Sequence, residues 1–210
     1  MPTSRHQEAR RVLAARPDLA AIFQLIPAGA SVLDLGCGNG DLLFLLRAEK
    51  KVGGQGIELD QANILACVAA GVPVLHGNLD EGLRDFPDGA FEYVVLSRTL
   101  QAVARPDRLL AEMSRVGRRL LISYINLGHW RARWQLLTGG RMPVTPDLPY
   151  QWYDTPNIHL GTILDFRHLC RAQGLAIIRE LPMAGSHFLL ARRWPNLFAA
   201  TCVFELERAD

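Results

Sequence analysis

An acidic residue and three glycines lie close together in the segment VLDLGCGNG, residues 32–40. Asp34 ends a short apolar run, and Gly36, Gly38 and Gly40 follow it in a G-x-G-x-G pattern. Glycine permits a sharp turn and a close approach of the backbone to a ligand. Free N–H groups at the start of the following helix favour a carboxylate or a phosphate. The segment therefore predicts a cofactor-binding turn between a strand and a helix.

A second acid indicates which cofactor this turn takes. Glu58 lies 24 residues after Asp34, at the expected end of the next strand, where a carboxylate can accept hydrogen bonds from the ribose hydroxyls of an adenosine. A nicotinamide-binding turn prefers the longer spacing G-x-G-x-x-G, so a NAD-dependent oxidoreductase is the weakest alternative. Taken singly, the turn could be a plain strand–helix connection and Glu58 a solvated acid. Together they predict a site for S-adenosylmethionine (SAM), with its methionine carboxylate at the helix start.

The residues after the third expected strand complete the predicted site. Asn78 or Asp80 could bond the adenine amino group, and a turn closed by an Asx hydrogen bond is the alternative. Cys37 is interpreted as a small packing residue of the turn. No catalytic residue is assigned. The predicted cofactor-binding residues are Asp34, Gly36, Cys37, Gly38, Gly40, Glu58, Leu59, Asn78, Leu79 and Ser97.

Strand and helix patterns alternate along the chain, which predicts an α/β fold with a mainly parallel sheet. The last two strands are expected to pair antiparallel at the sheet edge. The region 183–200 between them is expected to be a loop with a short helix. Strands are predicted at residues 31–35, 54–59, 72–76, 91–97, 118–125, 175–181 and 201–206, and helices at 12–26 (interrupted at Pro17), 41–48, 62–70, 105–116 and 162–173.

Composition limits the function classes. The 210 residues, 49% of them apolar, suit one domain over residues 1–210 with an extension at 1–15. The net charge of +2 is spread along the chain, which argues against nucleic acid. No apolar run approaches the ~18 residues of a membrane span. Four scattered cysteines without a C-x-x-C pair predict no metal site and a reduced, cytoplasmic protein. The Arg-rich start, which lacks a signal-peptide pattern, is expected to be a solvated helix face.

The regular pattern stops between residues 126 and 161, apart from an expected short helix at 130–137. This stretch, the aromatic segment, holds three of the four tryptophans and two of the four tyrosines. Long irregular segments are often functional, so we expect a lid over the cofactor or a contact surface. A self-packed loop is the alternative. His129 and His159 are each interpreted as structural, in preference to a general base.

Three arginines of the aromatic segment also have two interpretations. Arg131, Arg133 and Arg141 could hold a carboxylate, or they could simply be solvated. Neither a nucleophile nor a partner base is recognisable beside them. Methyl transfer from SAM needs no such pair, because the sulfonium is already an activated leaving group and the protein chiefly aligns donor and acceptor.

The chain resembles the class I SAM-dependent methyltransferases at residues 32–40, 56–60 and 91–97. It resembles the MetW family of methionine biosynthesis proteins more specifically. That resemblance runs from about residue 16 to 208 and is carried by residues 79–83, 96–102, 126–130, 140–145 and 148–160.

This resemblance implies a Rossmann-like seven-stranded sheet in the order 3-2-1-4-5-7-6, with the last strand antiparallel and helices on both faces. It implies SAM or S-adenosylhomocysteine as the cofactor. It also implies a homoserine O-acyltransferase as protein partner, which the chain would assist or regulate. The alternative is a SAM-dependent methyltransferase that acts on a small molecule.

Overall fold

A computed structural model describes residues 4–184 and 188–209 of the chain. Its strands are β1 (Ser31–Leu35), β2 (Gly53–Glu58), β3 (Val74–His76), β4 (Phe91–Ser97), β5 (Gly117–Ile125), β6 (Leu175–Met183) and β7 (Thr201–Arg208). Its α-helices are α1 (Ser4–Ala15), α2 (Pro17–Leu25), α3 (Asp41–Lys50), α4 (Gln61–Ala69), α5 (Pro106–Val116), α6 (Trp130–Gly139), α7 (Ile163–Ala172), α8 (Phe188–Arg193) and α9 (Pro195–Phe198). Short 3₁₀ turns are η1 (Leu79–Glu81) and η2 (Leu100–Ala102).

The seven strands form one sheet in the order β3-β2-β1-β4-β5-β7-β6. Strands β1 to β5 pair in parallel, and β7 pairs antiparallel with both β5 and β6. The Rossmann-like fold and the strand order expected from the sequence are confirmed. Because the order reverses between β1 and β4, the loops after these two strands diverge and leave a crevice at the carboxyl edge of the sheet.

The central strands of the sheet are buried on both faces, which explains why their sequences are mostly apolar. Successive side chains of a strand point to opposite faces. Val94 accordingly packs in one buried cluster with Leu33, while Val95 packs in the other with Val32. These clusters hold the ends of β1 and β4 in fixed positions beneath the crevice.

The N-terminal helix differs from the expectation. Helix α1 begins at Ser4 and buries Ala9 and Leu13, so the basic start is not a wholly solvated face. Arg5 donates to the carbonyl of Asn39 at 2.8 Å, and its Nη1 lies 2.8 Å from Asp41 Oδ1. The residues that hold α1 against α3 are far apart in sequence, so local periodicity gave no sign of this contact.

Several strand and helix boundaries also differ from those predicted from the sequence. Strand β3 begins at Val74, because the Val72 N–H bonds the Cys67 carbonyl and closes the end of α4. Strand β6 runs on to Met183. The expected loop at 183–200 contains two short helices, and its residues 185–187 lie outside the described part of the chain. None of the described helices is long and apolar enough to cross a bilayer.

Candidate functional site

The loop that follows β1 is a tight turn built on three glycines. Gly36, Gly38 and Gly40 have φ of +67°, +56° and +74°, a backbone region that L side chains rarely adopt. A Cβ on Gly36 would lie 2.9 Å from Thr99 Oγ1, whereas a Cβ on Gly38 would meet nothing within 4 Å. Gly36 therefore permits close packing against the loop after β4, and Gly38 borders open space where a ligand can lie.

Glu58 ties the end of β2 to this glycine turn. Its Oε2 accepts a hydrogen bond from the Gly38 N–H at 2.7 Å. Its Oε1 accepts from the N–H groups of Leu59 and Asp60 at 2.9 and 3.0 Å. Three backbone donors thus fix the carboxylate in one orientation at the rim of the crevice, before any ligand is bound.

Asp34 is the buried acid of the site. Its side chain lies at the end of β1, and the residue is only 4% exposed. Burial, followed by repulsion from Glu58, raises its pKa from 3.8 to about 7, while Arg16 opposes the rise. Within residues 4–184 and 188–209 no group donates a hydrogen bond to this carboxylate. Asp34 is thus poised to gain a cationic or hydrogen-bond-donating partner.

A cleft opens beside the glycine turn. It is lined by Gly36, Ile57, Glu58, Leu59, Gly77, Asn78, Leu79, Asp80, Thr99, Ala102 and Val103. Five of the ten sequence-predicted residues therefore line it directly. Two carboxylates and no arginine or lysine face this cleft, so the described surroundings favour a ligand with positive charge over one with phosphates.

Asn78 and Asp80 both have intramolecular roles at the far side of the cleft. Asn78 Oδ1 accepts a hydrogen bond from the Asp80 N–H at 3.1 Å and closes the η1 turn. Asp80 Oδ1 accepts from the Ala104 N–H at 2.8 Å. The Asx turn weighed from the sequence is thus present. It holds Asn78 in the cleft wall, where its side-chain amide can still donate to a base.

Cys37 and Ser97 are adjacent to the cleft but do not line it. The Sγ of Cys37 lies 3.9 Å from the Sγ of Cys67. Burial, together with the charge of Asp34, raises the pKa of Cys37, which supports the packing role predicted for it. Ser97 accepts a hydrogen bond from Arg16 Nη2 at 2.8 Å and donates to Asp18 at 3.3 Å, so its side chain is engaged by the Asp18–Arg16 ion pair.

Sequence reasoning missed Thr99, whose side chain packs against Gly36 and lines the cleft. The available signal was its position, two residues beyond the carboxyl end of a central parallel strand. Gln101 was missed as well. It is buried, accepts from the Ile125 N–H at 3.0 Å and donates to the His159 carbonyl at 3.2 Å. Gln101 thereby anchors the aromatic segment beside η2.

The aromatic segment lies at the carboxyl edge of the sheet, yet its largest aromatic side chains face outward. Trp134 is 62% exposed, and Trp152 and Tyr153 are each 72% exposed. No aromatic residue of the segment lines the cleft beside the glycine turn in the part of the chain that the structure describes. The segment therefore presents a surface and does not form a lid over that cleft.

The two histidines of the segment contact backbone groups. The His159 ring lies with Nε2 3.2 Å from the Ala104 carbonyl oxygen. His129 precedes α6, where its Nδ1 accepts from the Arg131 N–H at 3.4 Å. These contacts favour the structural roles predicted from the sequence.

Comparison with known proteins adds family information to this geometry. The sequence model of the family described as "Methionine biosynthesis protein MetW" matches residues 16–206. The bifunctional methionine biosynthesis protein MetXA/MetW of Rhodopirellula baltica is 38% identical over 204 residues, which cover 92% of this chain. The chain spans about a third, 33%, of the length of that relative.

Solved structures with a similar fold include several methyltransferases and a [4+2]-cyclase. A SAM-dependent methyltransferase of Thermotoga maritima superposes with a TM-score of 0.67 at 19% identity, over 96% of this chain and 95% of that one. Phosphoethanolamine N-methyltransferase 2 of Haemonchus contortus, solved with S-adenosylhomocysteine, gives a TM-score of 0.65 at 16% identity, over 92% of this chain and 52% of that one. At these identities the likeness shows the fold alone.

Proposed function

The chain belongs to the MetW family of methionine biosynthesis proteins, and we propose that it binds SAM and regulates a homoserine O-acyltransferase partner. The observation that carries the cofactor proposal is the acidic cleft beside an open glycine turn. The observation that carries the partner proposal is the outward-facing aromatic segment.

The charge of the cleft distinguishes SAM from the dinucleotides. SAM carries a positive sulfonium and a positive ammonium, whereas NAD carries a negatively charged pyrophosphate. The described cleft presents Glu58 and Asp80, with the Asp34 carboxylate buried next to it, and no cationic side chain. Opposite charges attract strongly where water is partly excluded. The negatively charged side chains of the cleft therefore fit SAM better than a pyrophosphate.

Different residues of the cleft and its surroundings would bind different parts of SAM. The fixed carboxylate of Glu58 is positioned to accept hydrogen bonds from the ribose hydroxyls, and Asn78 can donate to the adenine. The N-terminus of α3 attracts the methionine carboxylate, and Asp34 balances the cationic end of the ligand. When bound, SAM supplies an activated methyl group. The chain's own contribution in this cleft is binding and orientation.

Calorimetric titration of the full chain with SAM, S-adenosylhomocysteine and NAD tests the cofactor proposal. SAM should bind and NAD should not. Glu58→Gln should weaken SAM binding by about tenfold or more, because hydrogen bonds to a charged acceptor are lost. Asp60→Asn is the matched control, since Asp60 caps α4 outside the cleft and asparagine caps equally well. Equal SAM affinity in the two variants would contradict the assignment of Glu58.

The partner proposal rests on surface chemistry and on a covalent linkage in a relative. Large aromatic side chains dominate the energetics of protein interfaces, and this chain carries three of them exposed at Trp134, Trp152 and Tyr153. The Rhodopirellula baltica relative is named as a bifunctional MetXA/MetW protein. Joining two parts in one chain raises their effective concentration for each other. We therefore assign the aromatic segment as the surface that docks on the acyltransferase.

Co-purification with the homoserine O-acyltransferase of the same organism tests this assignment. The double variant Trp152→Ser/Tyr153→Ser should lose most of the co-purified acyltransferase while its melting temperature stays near that of the parent, because both side chains are exposed. Leu65→Ser/Val68→Ser is the matched control, with two exposed apolar residues on α4. Acylation rates should change when the chain is added and change again with SAM. Unchanged rates in every combination would refute the regulatory role.

The second candidate function is methyl transfer to a small molecule. One observation favours it, a separate cavity lined by Arg98, Trp130 and Asp147 at the same carboxyl edge of the sheet, which could hold an acceptor. Incubating the chain with SAM and small amine or carboxylate acceptors, and measuring S-adenosylhomocysteine, tests it. Product formation that depends on the acceptor would favour this function, and its absence with the acyltransferase still responsive would favour the regulatory one.

A further inference from the structure

A second cavity, of about 340 Å³, opens at the carboxyl ends of β4 and β5 beside the start of β7. Its lining residues are entirely different from those of the cofactor cleft. Apolar walls come from Trp130, Met183 and Phe198, and charged groups come from the loops that cross the edge of the sheet. Its size falls within the range of about 300–1,000 Å³ typical of small-molecule sites.

The negative charge of one acid that lines this cavity is already balanced by an arginine. Asp18 is fully buried and accepts hydrogen bonds from Arg16 Nε at 2.9 Å, Arg16 Nη2 at 2.7 Å and Ser123 Oγ at 2.6 Å. Although burial opposes it, the pKa of Asp18 is held well below its usual range, chiefly by Arg16. Asp18 and Arg16 therefore form a closed ion pair that contributes little net charge to the cavity.

The Arg98 side chain also lines this cavity, and it carries hydrogen-bond donors that the Asp18–Arg16 ion pair leaves unused. Its backbone has φ of +57°, a costly conformation for a residue with a side chain. Its Nη2 lies 3.1 Å from Asp147 Oδ1. Its buried Nε is 3.2 Å from Asp18 Oδ2, but no described group accepts a hydrogen bond from it in good geometry. Arg98 is thus a strained cation with an unsatisfied buried donor that lines an open cavity.

Arg131 adds a second cation to the same cavity. Its guanidinium stacks on the Trp130 ring, 5.4 Å from the centroid, and it makes no salt bridge with any described residue. Taken together, the three arginines Arg16, Arg98 and Arg131 face two acids, Asp18 and Asp147. The cavity therefore has one positive charge in excess and one carboxylate that remains partly exposed.

We propose that this cavity binds an α-amino acid with a short apolar side chain. Its carboxylate would be held by Arg98 and Arg131, which supplies the missing negative charge. Its ammonium would be held by Asp147. Its side chain would lie against Met183 and Phe198, where apolar contact excludes water. This site shares no lining residue with the proposed SAM cleft, so it would let the protein bind a second small molecule.

Calorimetric titration of the full chain with three related probes tests the proposal. L-leucine carries both charges, 4-methylpentanoate lacks the ammonium, and L-leucinamide lacks the carboxylate. L-leucine should bind saturably, 4-methylpentanoate about tenfold more weakly, and L-leucinamide without measurable heat. Arg131→Gln should lower L-leucine affinity about tenfold. Arg141→Gln, an identical charge change elsewhere in the aromatic segment, should not.

The variants also separate this proposal from the cofactor proposal. Glu58→Gln should leave L-leucine affinity unchanged, and Arg131→Gln should leave SAM affinity unchanged. Thermal melts check that each variant folds, and Arg131 is exposed, so its loss should not unfold the chain. Equal binding of L-leucine and L-leucinamide, equal effects of the two arginine variants, or no saturable binding by any probe would overturn the assignment.

Discussion

The raised pKa of Asp34 makes a quantitative prediction about stability. The folded protein holds the Asp34 proton up to about pH 7, whereas the unfolded chain releases it near the ordinary value of 3.8. Between these two pH values the folded state binds more protons than the unfolded state. The free energy of unfolding therefore falls as pH rises through this window and levels off above it.

The size of the effect follows from the shift. A rise of about three pKa units, at about 1.36 kcal/mol per unit, makes ionised Asp34 cost the folded protein about 4 kcal/mol above pH 7. Asp34→Asn removes the charge and keeps the shape. The stability of this variant relative to the parent should therefore increase by about 3 kcal/mol between pH 5 and pH 8.

Urea unfolding of parent and variant at pH 5, 6, 7 and 8 measures this difference. Other acids titrate in both proteins, so their contributions cancel in the comparison. Glu58→Gln supplies a second comparison. Burial, the larger cause of the raised pKa of Asp34, remains in this variant, whereas repulsion from Glu58 is removed, so the pH slope should become shallower without disappearing. Its overall stability is expected to fall, so the slope is the readout. A constant difference between Asp34→Asn and the parent from pH 5 to 8 would refute the reasoning.

Three further outcomes are expected. SAM affinity should rise with pH between 6 and 8, and binding should release a proton, because a cationic ligand favours ionised Asp34. Equal calorimetric binding enthalpies in two buffers of different ionisation heat would contradict this. Gly36→Ala should lower the melting temperature and SAM affinity, since its Cβ would press on Thr99 Oγ1 at 2.9 Å, and Thr99→Ala should partly restore both. Asp18→Ala should destabilise the fold by about 3–5 kcal/mol in urea, because two arginines lose a buried partner; a loss below 1 kcal/mol would show that the cluster is not structurally important.

Most of the fold could be predicted from the local pattern of apolar and turn residues in the sequence. Strands β1 and β4 are mostly apolar because both of their faces are buried, and the glycine turn marks where the chain leaves the sheet. Such features depend on residues near one another, so periodicity and turn chemistry report them directly. The strand order followed from the resemblance to a family. Element ends were less accurate, as at β3, because they depend on hydrogen bonds to neighbouring elements.

The candidate site was readable in part. Asp34, the glycines and Glu58 carry their roles in residue type and spacing, since a turn and two strand ends bring them to one crevice. Thr99 has no such signature, and only packing against Gly36 places it in the cleft. The outward orientation of the aromatic segment also needed the structure, because aromatic residues are common both in buried cores and at exposed contact surfaces.

The sequence by itself determined a glycine turn, two acids at successive strand ends and an α/β alternation, all set by short-range spacing. Tertiary structure alone decided the environment of each charge. Asp34 has a pKa of about 7 because the sheet buries it beside Glu58. The charge of Asp18 is balanced because α2 brings it and Arg16 over β5, and one positive charge remains in excess because distant loops bring Arg98, Arg131 and Asp147 to one cavity. Burial and charge compensation are properties of long-range packing, and residue order does not encode them locally.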